Sequence, residues 1–215
     1  YKSVLNSLPS FNGLWIPRNI NKLSDDFFNK IDKLDFHSIA YEVITNLVDL
    51  NDTKNMKLKE NVIKDIIKKS FNFPVKINTL CEKNRIHILE TFHGPTLTFK
   101  DFGARFLAEY LKTILDNDQK YTVLVSTSGD TGSAIASAFY GCKNIRVIIL
   151  YPNNRVSDMQ ELQITTYYDN IFSIALENNF DDCQLFVKKT FLDNELKSIN
   201  LISANSINIA RLLPQ

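Results

Sequence analysis

The apolar residues fall into two rhythms along the chain. Phe36, Ile39, Ala40, Val43, Ile44, Leu47 and Val48 recur at helical spacing and predict an amphipathic helix. In "NDTKNMKLKENVIKDIIKKSF" the charges lie opposite Leu58, Val62, Ile63, Ile66 and Ile67, the pattern of a helix with one solvated face. Before these, Pro9, Gly13 and Pro17 interrupt "VLNSLPSFNGLWIPRNINKLS" and predict an irregular opening segment. Ser24, followed by Asp25 and Asp26, reads as the cap and first turn of a short helix. "FNFPVK", residues 71–76, then breaks the pattern and marks a candidate boundary.

From residue 121 the rhythm shortens. "YTVLVST", "NIRVIILYP", "NIFSIAL" and "NLISAN" are short apolar or β-branched runs, each followed by a helix-compatible stretch. That alternation predicts βα units and a mostly parallel sheet buried on both faces. "RIHILETF", residues 85–92, reads as another strand, and residues 101–116 as a helix with Phe102, Phe106, Leu107, Tyr110, Leu111 and Ile114 inward. The expected fold class is α/β: a mostly parallel sheet with flanking helices, preceded by a largely helical N-terminal region. The expected division is residues 1–78 for the helical region and 79–215 for the α/β region.

Charge and composition narrow the partners. A net charge of +1 with no basic run argues against nucleic acid or an anionic membrane surface. Cys81, Cys142 and Cys183 are odd in number and lack CxxC spacing, which favours reduced thiols in a reducing compartment, here the cytoplasm. His37, His87 and His93 are scattered, so no zinc-ligand spacing is present and no metal is expected. The longest apolar run falls far short of the ~20 residues a membrane span needs. The chain starts at Tyr1 and not Met, so the lack of a leader carries no weight.

In open α/β sheets ligands bind beyond the carboxyl ends of strands, and three such junctions carry unusual residues. The first is "ETFHGPTLTFKDFGAR", where Lys100 stands between Phe99 and Phe102 near a helix start. The positive end of the helix dipole and the two rings both disfavour a charged amine, as a nucleophilic lysine requires. A lysine whose stem covers apolar surface while its head reaches water is the bland alternative. The second is "VLVSTSGDTGSAIASAFYG", residues 123–141. Here hydroxyls and helix N-terminal amides make an anion cradle, or else a plain turn capped by Ser128, Asp130 or Thr131. The third comprises "YPNNRVSDMQELQITT" and "SANSINIARLLPQ", with Asn153, Asn154, Arg155, Ser157, Ser203, Asn205, Ser206 and Asn208 after strands. Arg155 is suited to bidentate binding of a phosphate or carboxylate, although each such residue taken singly is commonly a cap.

Together "FHGPTLTFKDFGAR", "TSGDTGSA", "LYPNNRVSDMQELQITT", "NNFDDCQLFVKK" and "SANSINIARLLPQ" closely resemble the threonine synthases, fold type II enzymes dependent on pyridoxal 5′-phosphate. "SFNGLWIP" is similar to that family's N-terminal region. Related dehydratases and cysteine synthases usually carry Asn where this chain has Asp130. The resemblance implies that Lys100 holds the cofactor as a Schiff base and then serves as general base and acid, with Phe99 and Asp130 also at the cofactor. It implies that Ser128, Gly129, Thr131 and Gly132 cradle the substrate α-carboxylate. Arg155, Ser157, Asn205 and Asn208 are then candidates for the substrate phosphate.

The implied reaction converts O-phospho-L-homoserine, a small-molecule substrate, and water into L-threonine and phosphate. Two alternatives stand beside it: another fold type II enzyme (a dehydratase or lyase), and a non-catalytic threonine-synthase-like binding module. In the family, a glycine-rich loop for the cofactor phosphate and a hydroxyl facing the pyridine nitrogen come later than Gln215. The chain is therefore expected to be a fragment, lacking about half the family's length and some N-terminal residues. So cut, its sheet should expose edges and apolar faces.

Overall fold

Ser24 caps helix α2 (Asp25–Lys30) through its side chain, which accepts from the Phe27 N–H at 3.1 Å, as its sequence context predicts. The computed structural model describes residues 2–9, 13–17, 19–47, 59–196 and 198–214. Val48, Leu58 and the Ser10–Phe11–Asn12 part of "SFNGLWIP" lie outside the described residues.

A single turn of helix, α1 (Lys2–Leu5), precedes α2, and a 3-10 turn (Ile31–Lys33) leads on to α3 (Phe36–Leu47) and α4 (Glu60–Ser70). In α4 the apolar stripe faces inward: Ile63, Ile66 and Ile67 are buried. The polar face is tied by Lys64–Glu60 and Lys69–Asp65 pairs at i,i+4 spacing, neighbours on one helix face. The helix ends where "FNFPVK" begins, and Phe71 packs there against Phe36, Phe102 and Phe106 with ring centroids 5.7, 5.7 and 6.2 Å away.

Strands β1 (Lys76–Cys81) and β2 (Ile86–Glu90) form a separate antiparallel hairpin. The strand expected over 85–92 is thus present, outside the parallel sheet, and the division expected at residue 78 falls within β1. Helix α5 (Lys100–Ile114) buries all six residues expected to face inward. Arg105 on α5 donates to the carbonyls of Ser70 and Lys69 at 2.8 and 2.9 Å. These are carbonyls the last turn of α4 cannot satisfy internally, so one guanidinium ties the helical region to the α/β region.

The remaining elements alternate: β3 (Tyr121–Ser126), α6 (Asp130–Phe139), β4 (Ile145–Pro152), α7 (Asp158–Thr165), β5 (Ile171–Leu176), α8 (Phe180–Leu192), β6 (Asn200–Ser203) and α9 (Ile209–Leu212). The four strands pair in parallel in the order β5-β4-β3-β6. The chain steps outward from β3 to β5, then returns across the sheet to β6. Parallel crossovers are right-handed, so the outward steps place α6 and α7 on one face and the return places α8 on the other.

That asymmetry corrects one expectation: the sheet is not buried evenly on both faces. Val123, Val125, Val147, Ile149, Ile171 and Ile202 join the main core. On the opposite face α8 covers Leu124 and Leu150 through Cys183 and Val187. Phe172 and Ile174 remain 47% and 44% exposed, lining a groove of about 680 Å³. One crossover helix is too narrow to shield four strands. Cys81, Cys142 and Cys183 are all free thiols, and among the described residues no helix is long and apolar enough to cross a membrane.

Candidate active site

The strand order reverses between β3 and β6, and such a switch point leaves a crevice at the carboxyl ends of the two strands. Beyond β3 the chain turns through Thr127, Ser128 and Gly129 into α6. Gly129 is the N-cap residue with φ of +139°, a region in which an L side chain is strained. An added Cβ there would also collide with the Gln160 side chain.

None of the three expected caps does the capping. Thr127, almost fully buried, holds the turn instead: its Oγ1 accepts from the Gly129 and Gly132 N–H groups at 3.0 and 2.8 Å and donates to the Gly129 carbonyl at 3.0 Å. The N–H groups of Asp130 and Thr131 have no protein acceptor among the described residues. The first N–H groups of any helix lack intrahelical partners and favour an anion.

Lys100 opens α5 and reaches this turn. Its Nζ is 3.5 Å from Asp130 Oδ2 and 4.5 Å from the centroid of the Phe99 ring, and its side chain is 25% exposed. The dry slot between two phenylalanines expected from the sequence is not formed. Phe102 turns into the core, its ring 4.9 Å from that of Phe73, while Phe99 stays exposed beneath the amine. Phe99 is the N-cap, outside the helix, and Lys100 and Phe102 stand two residues apart at about 200° around it, so the amine and the Phe102 ring leave on opposite sides.

The loop before Lys100 is fixed by its neighbour Asp101. This fully buried carboxylate accepts from the Thr96 N–H at 2.9 Å and the Thr96 hydroxyl at 2.7 Å. Burial pushes its carboxyl above the ordinary value, against the opposing pull of the Thr96 hydrogen bonds.

The third junction joins the first two through a residue the sequence reading passed over. Gln160 Nε2 donates to Asp130 Oδ1 at 2.7 Å, and Gln160 Oε1 accepts from the Ser157 N–H and hydroxyl at 3.1 and 3.2 Å. Ser157 in turn caps α7 in a capping box with Gln160. Ser157, Gln160, Asp130 and Lys100 therefore form one chain of contacts. The spacing "SDMQ" is a capping-box signature and was the available signal for Gln160.

Arg155 stands exposed in the turn between β4 and α7. Asn205 Nδ2 donates to the Ser126 carbonyl at 3.0 Å, tying the end of β6 to the end of β3, while its Oδ1 is buried without a donor among the described residues. Asn208 is wholly committed to the β6–α9 corner: Nδ2 donates to the Val4 and Ser203 carbonyls at 3.0 and 2.8 Å, and Oδ1 accepts from the Ala210 N–H at 3.1 Å. It has the role of a structural cap. Arg211, also absent from the expected set, is buried and donates to Thr131 Oγ1 at 3.3 Å.

Comparison with known proteins agrees with this geometry. The sequence model of the family "Pyridoxal-phosphate dependent enzyme" matches residues 75–211, and that of "Threonine synthase N terminus" matches residues 2–71. Threonine synthase of Buchnera aphidicola subsp. Schizaphis graminum is 44% identical over 206 residues, covering 94% of this chain and 46% of the relative. Threonine synthase of Escherichia coli strain K12 is 38% identical over 215 residues, covering 100% of this chain and 48% of the relative. The chain thus spans about half the length of the curated relatives it matches.

Among solved structures, threonine synthase from Escherichia coli superposes with a TM-score of 0.89 at 38% identity, covering 99% of this chain and 48% of that one. The PLP-bound threonine synthase from Brucella melitensis gives 0.81 at 29% identity, covering 99% and 46%. A family model across most of the chain, and an amine facing a helix N-terminus at the switch point, agree that the chain belongs to the pyridoxal-phosphate dependent enzymes, with the threonine synthases as its relatives.

Proposed function

We propose that the whole protein is a threonine synthase, converting O-phospho-L-homoserine and water into L-threonine and inorganic phosphate. The observation that carries this reading is the approach of Lys100 Nζ to Asp130 at 3.5 Å beside helix N-terminal amides that lack acceptors among the described residues. A reactive amine and an anion cradle side by side suit an amino-acid substrate.

The same residues fit pyridoxal 5′-phosphate. The Lys100 amine is accessible to a carbonyl, and the exposed Phe99 ring beneath it offers a flat apolar face. When bound, the cofactor supplies an electron sink for carbanions at the substrate carbons. Lys100 Nζ takes and returns protons at those carbons. Asp130 holds the amine in place, itself held by Gln160 and Ser157.

The carboxylate is bound by the Asp130 and Thr131 amides and the Ser128 and Thr131 hydroxyls, while Gly129 and Gly132 serve through shape, their amides being engaged by Thr127. Arg155, exposed beyond β4, is our candidate for the substrate phosphate, with Ser157 and Asn205. Asn208 fixes the corner that carries Asn205. We assign the chain up to residue 71 to the helical region and residues 75 onward to the first part of the cofactor-binding region, in place of a division at 78 that would split β1; the changeover between the two family models supports this. We further place the protein in the cytoplasm, acting on a small molecule and not on nucleic acid or a membrane.

The test uses the full-length protein with added pyridoxal phosphate. The expected result is an absorption band of bound cofactor, lost in Lys100→Ala, and phosphate release from O-phospho-L-homoserine. Turnover of serine or threonine instead would assign a dehydratase, and a folded protein without the band would assign a binding module.

A further inference from the structure

We propose that Arg211 is a positioning residue for the anion-binding turn at the start of α6. It fixes Thr131 with its hydroxyl hydrogen available for donation and supplies the positive charge that a bound amino-acid carboxylate faces. The inference rests on the reading that this turn takes the substrate carboxylate, and it adds a residue buried behind the turn.

Arg211 is 1% exposed, one of the largest fully buried side chains of the molecule. Nη1 donates to the Ala204 carbonyl at 2.7 Å and Nη2 to Thr131 Oγ1 at 3.3 Å, while Nε has no partner among the described residues. Among the described residues no carboxylate lies within ion-pair distance of it. Burial lowers its guanidinium to about 10, so the group remains a cation at neutral pH.

Buried charges are normally paired, since an unpaired one forfeits its hydration without recompense. A methionine or leucine would fill the same space without that penalty. Asp130 does not supply the missing counter-charge, because it faces Lys100 and Gln160. Among the described residues Arg211 therefore has no side-chain counter-charge, and an entering carboxylate supplies one.

The contact with Thr131 shows how a buried cation serves a site it does not touch. The guanidinium donates to Oγ1, so the threonine's own hydrogen is left to be given elsewhere. Thr131 is half-buried, in the first turn of α6, where its amide also lacks an acceptor among the described residues. A hydroxyl that accepts from a cation is polarised and becomes a stronger donor. Both donors of Thr131 thus serve one anion, with Arg211 behind them.

The experiment compares full-length protein, reconstituted with pyridoxal phosphate, as wild type, Arg211→Met, Arg211→Lys, Thr131→Val and the Thr131→Val/Arg211→Met double variant. L-Threonine affinity is measured by calorimetry, and KM and kcat with O-phospho-L-homoserine. Arg211→Met should weaken L-threonine binding on the order of tenfold and raise KM more than it lowers kcat. Arg211→Lys, which keeps the charge, should recover part of the loss. In the Thr131→Val background the effect of Arg211→Met should shrink, because the two residues act as one unit.

A folded Arg211→Met that binds L-threonine like wild type would overturn the proposal, as would an equal loss in both backgrounds. If Arg211→Met does not fold, the Arg211→Lys and Thr131→Val pair decides by the same comparison. If neither Arg211 variant folds, the arginine is a packing element and the proposal fails. A wild type that binds L-threonine without turning over phosphohomoserine would sink the assigned reaction and leave the Arg211 comparison standing.

Discussion

Thr96 gives both of its donors to one carboxylate: its N–H meets Asp101 Oδ2 at 2.9 Å and its hydroxyl meets Oδ1 at 2.7 Å. The loop carrying the Gly94–Pro95 turn is thereby pinned to the first turn of α5, beside Lys100. Gly94 packs so closely on Asp101 that a Cβ would overlap the carboxylate.

Asp101→Asn replaces one acceptor with a donor that opposes a Thr96 donor, and a buried group left unpaired costs about 1–3 kcal/mol. Denaturant unfolding should show a loss of that size. Its pH dependence has a definite sign. Burial raises the folded carboxyl above 3.8, so the native state binds the proton more tightly than the unfolded chain. That contribution is fully present below the unfolded value and disappears as pH rises through the folded one. The gap between wild type and Asp101→Asn should therefore widen as the solution is acidified from neutrality towards 3.8. A gap that narrows would show that hydrogen bonding outweighs burial at this carboxylate.

Thr127 is buried and satisfies two amides with a single oxygen. Thr127→Val preserves the shape and strands both donors, for a loss of about 2 kcal/mol or more. Thr127→Ser keeps the oxygen and should lose about 1 kcal/mol through its missing methyl. Equal midpoints for the two variants in urea would mean the oxygen does not hold the turn.

The strands and the long helix were legible because their signals are local. β-Branched runs such as "YTVLVS" and the inward stripe of α5 are decided within a few residues of sequence. The site was legible only in outline. Ser128, Asp130 and Thr131 are all sound caps by residue type, yet Thr127 holds the turn because its hydroxyl, at the end of β3, lies closest to the amides of Gly129 and Gly132. Gln160 reaches Asp130 across 30 positions and Arg211 reaches Thr131 across 80. No window of sequence contains both ends of such a contact. An exposed apolar sheet face was expected of a cut chain, but its place was not legible, for a related reason. β5 reads as an apolar run broken only by Ser173, but the side on which α8 returns is set by the strand order.

Gln160 offers a charge test of the Lys100–Asp130 pair. Gln160→Glu replaces the amide that donates to Asp130 at 2.7 Å with a second carboxylate. Like charges at this distance raise the pKa of one of them. In the full-length enzyme the acid limb of the pH–rate profile should move upward, and kcat should fall on the order of tenfold. Gln160→Met, which removes the hydrogen bond without adding charge, should move the acid limb the same way but by less. Coincident profiles for wild type and Gln160→Glu would separate Asp130 from the chemistry.

The N-terminal turn should govern the far side of the site. Ser7 Oγ accepts from the Ser203 N–H at 3.0 Å, and Asn208 Nδ2 donates to the Val4 carbonyl at 3.0 Å. These contacts join residues about 200 positions apart at the corner that carries Asn205 and Arg211. Ser203 is buried, and Ser7→Ala removes the acceptor that its N–H holds. Ser7→Ala should destabilise the protein by about 1–3 kcal/mol. The loss need not be shared by the whole fold, because exchange reports the opening of each segment separately. Amide hydrogen exchange should accelerate at Ser203 and through α9, while Val123 and Val147 in the middle of the sheet keep their protection. Uniform acceleration at all four places would mean that the turn contributes to global stability alone. Acceleration confined to β6 and α9 would make the first residues of the chain the clamp that keeps Arg211 against Thr131.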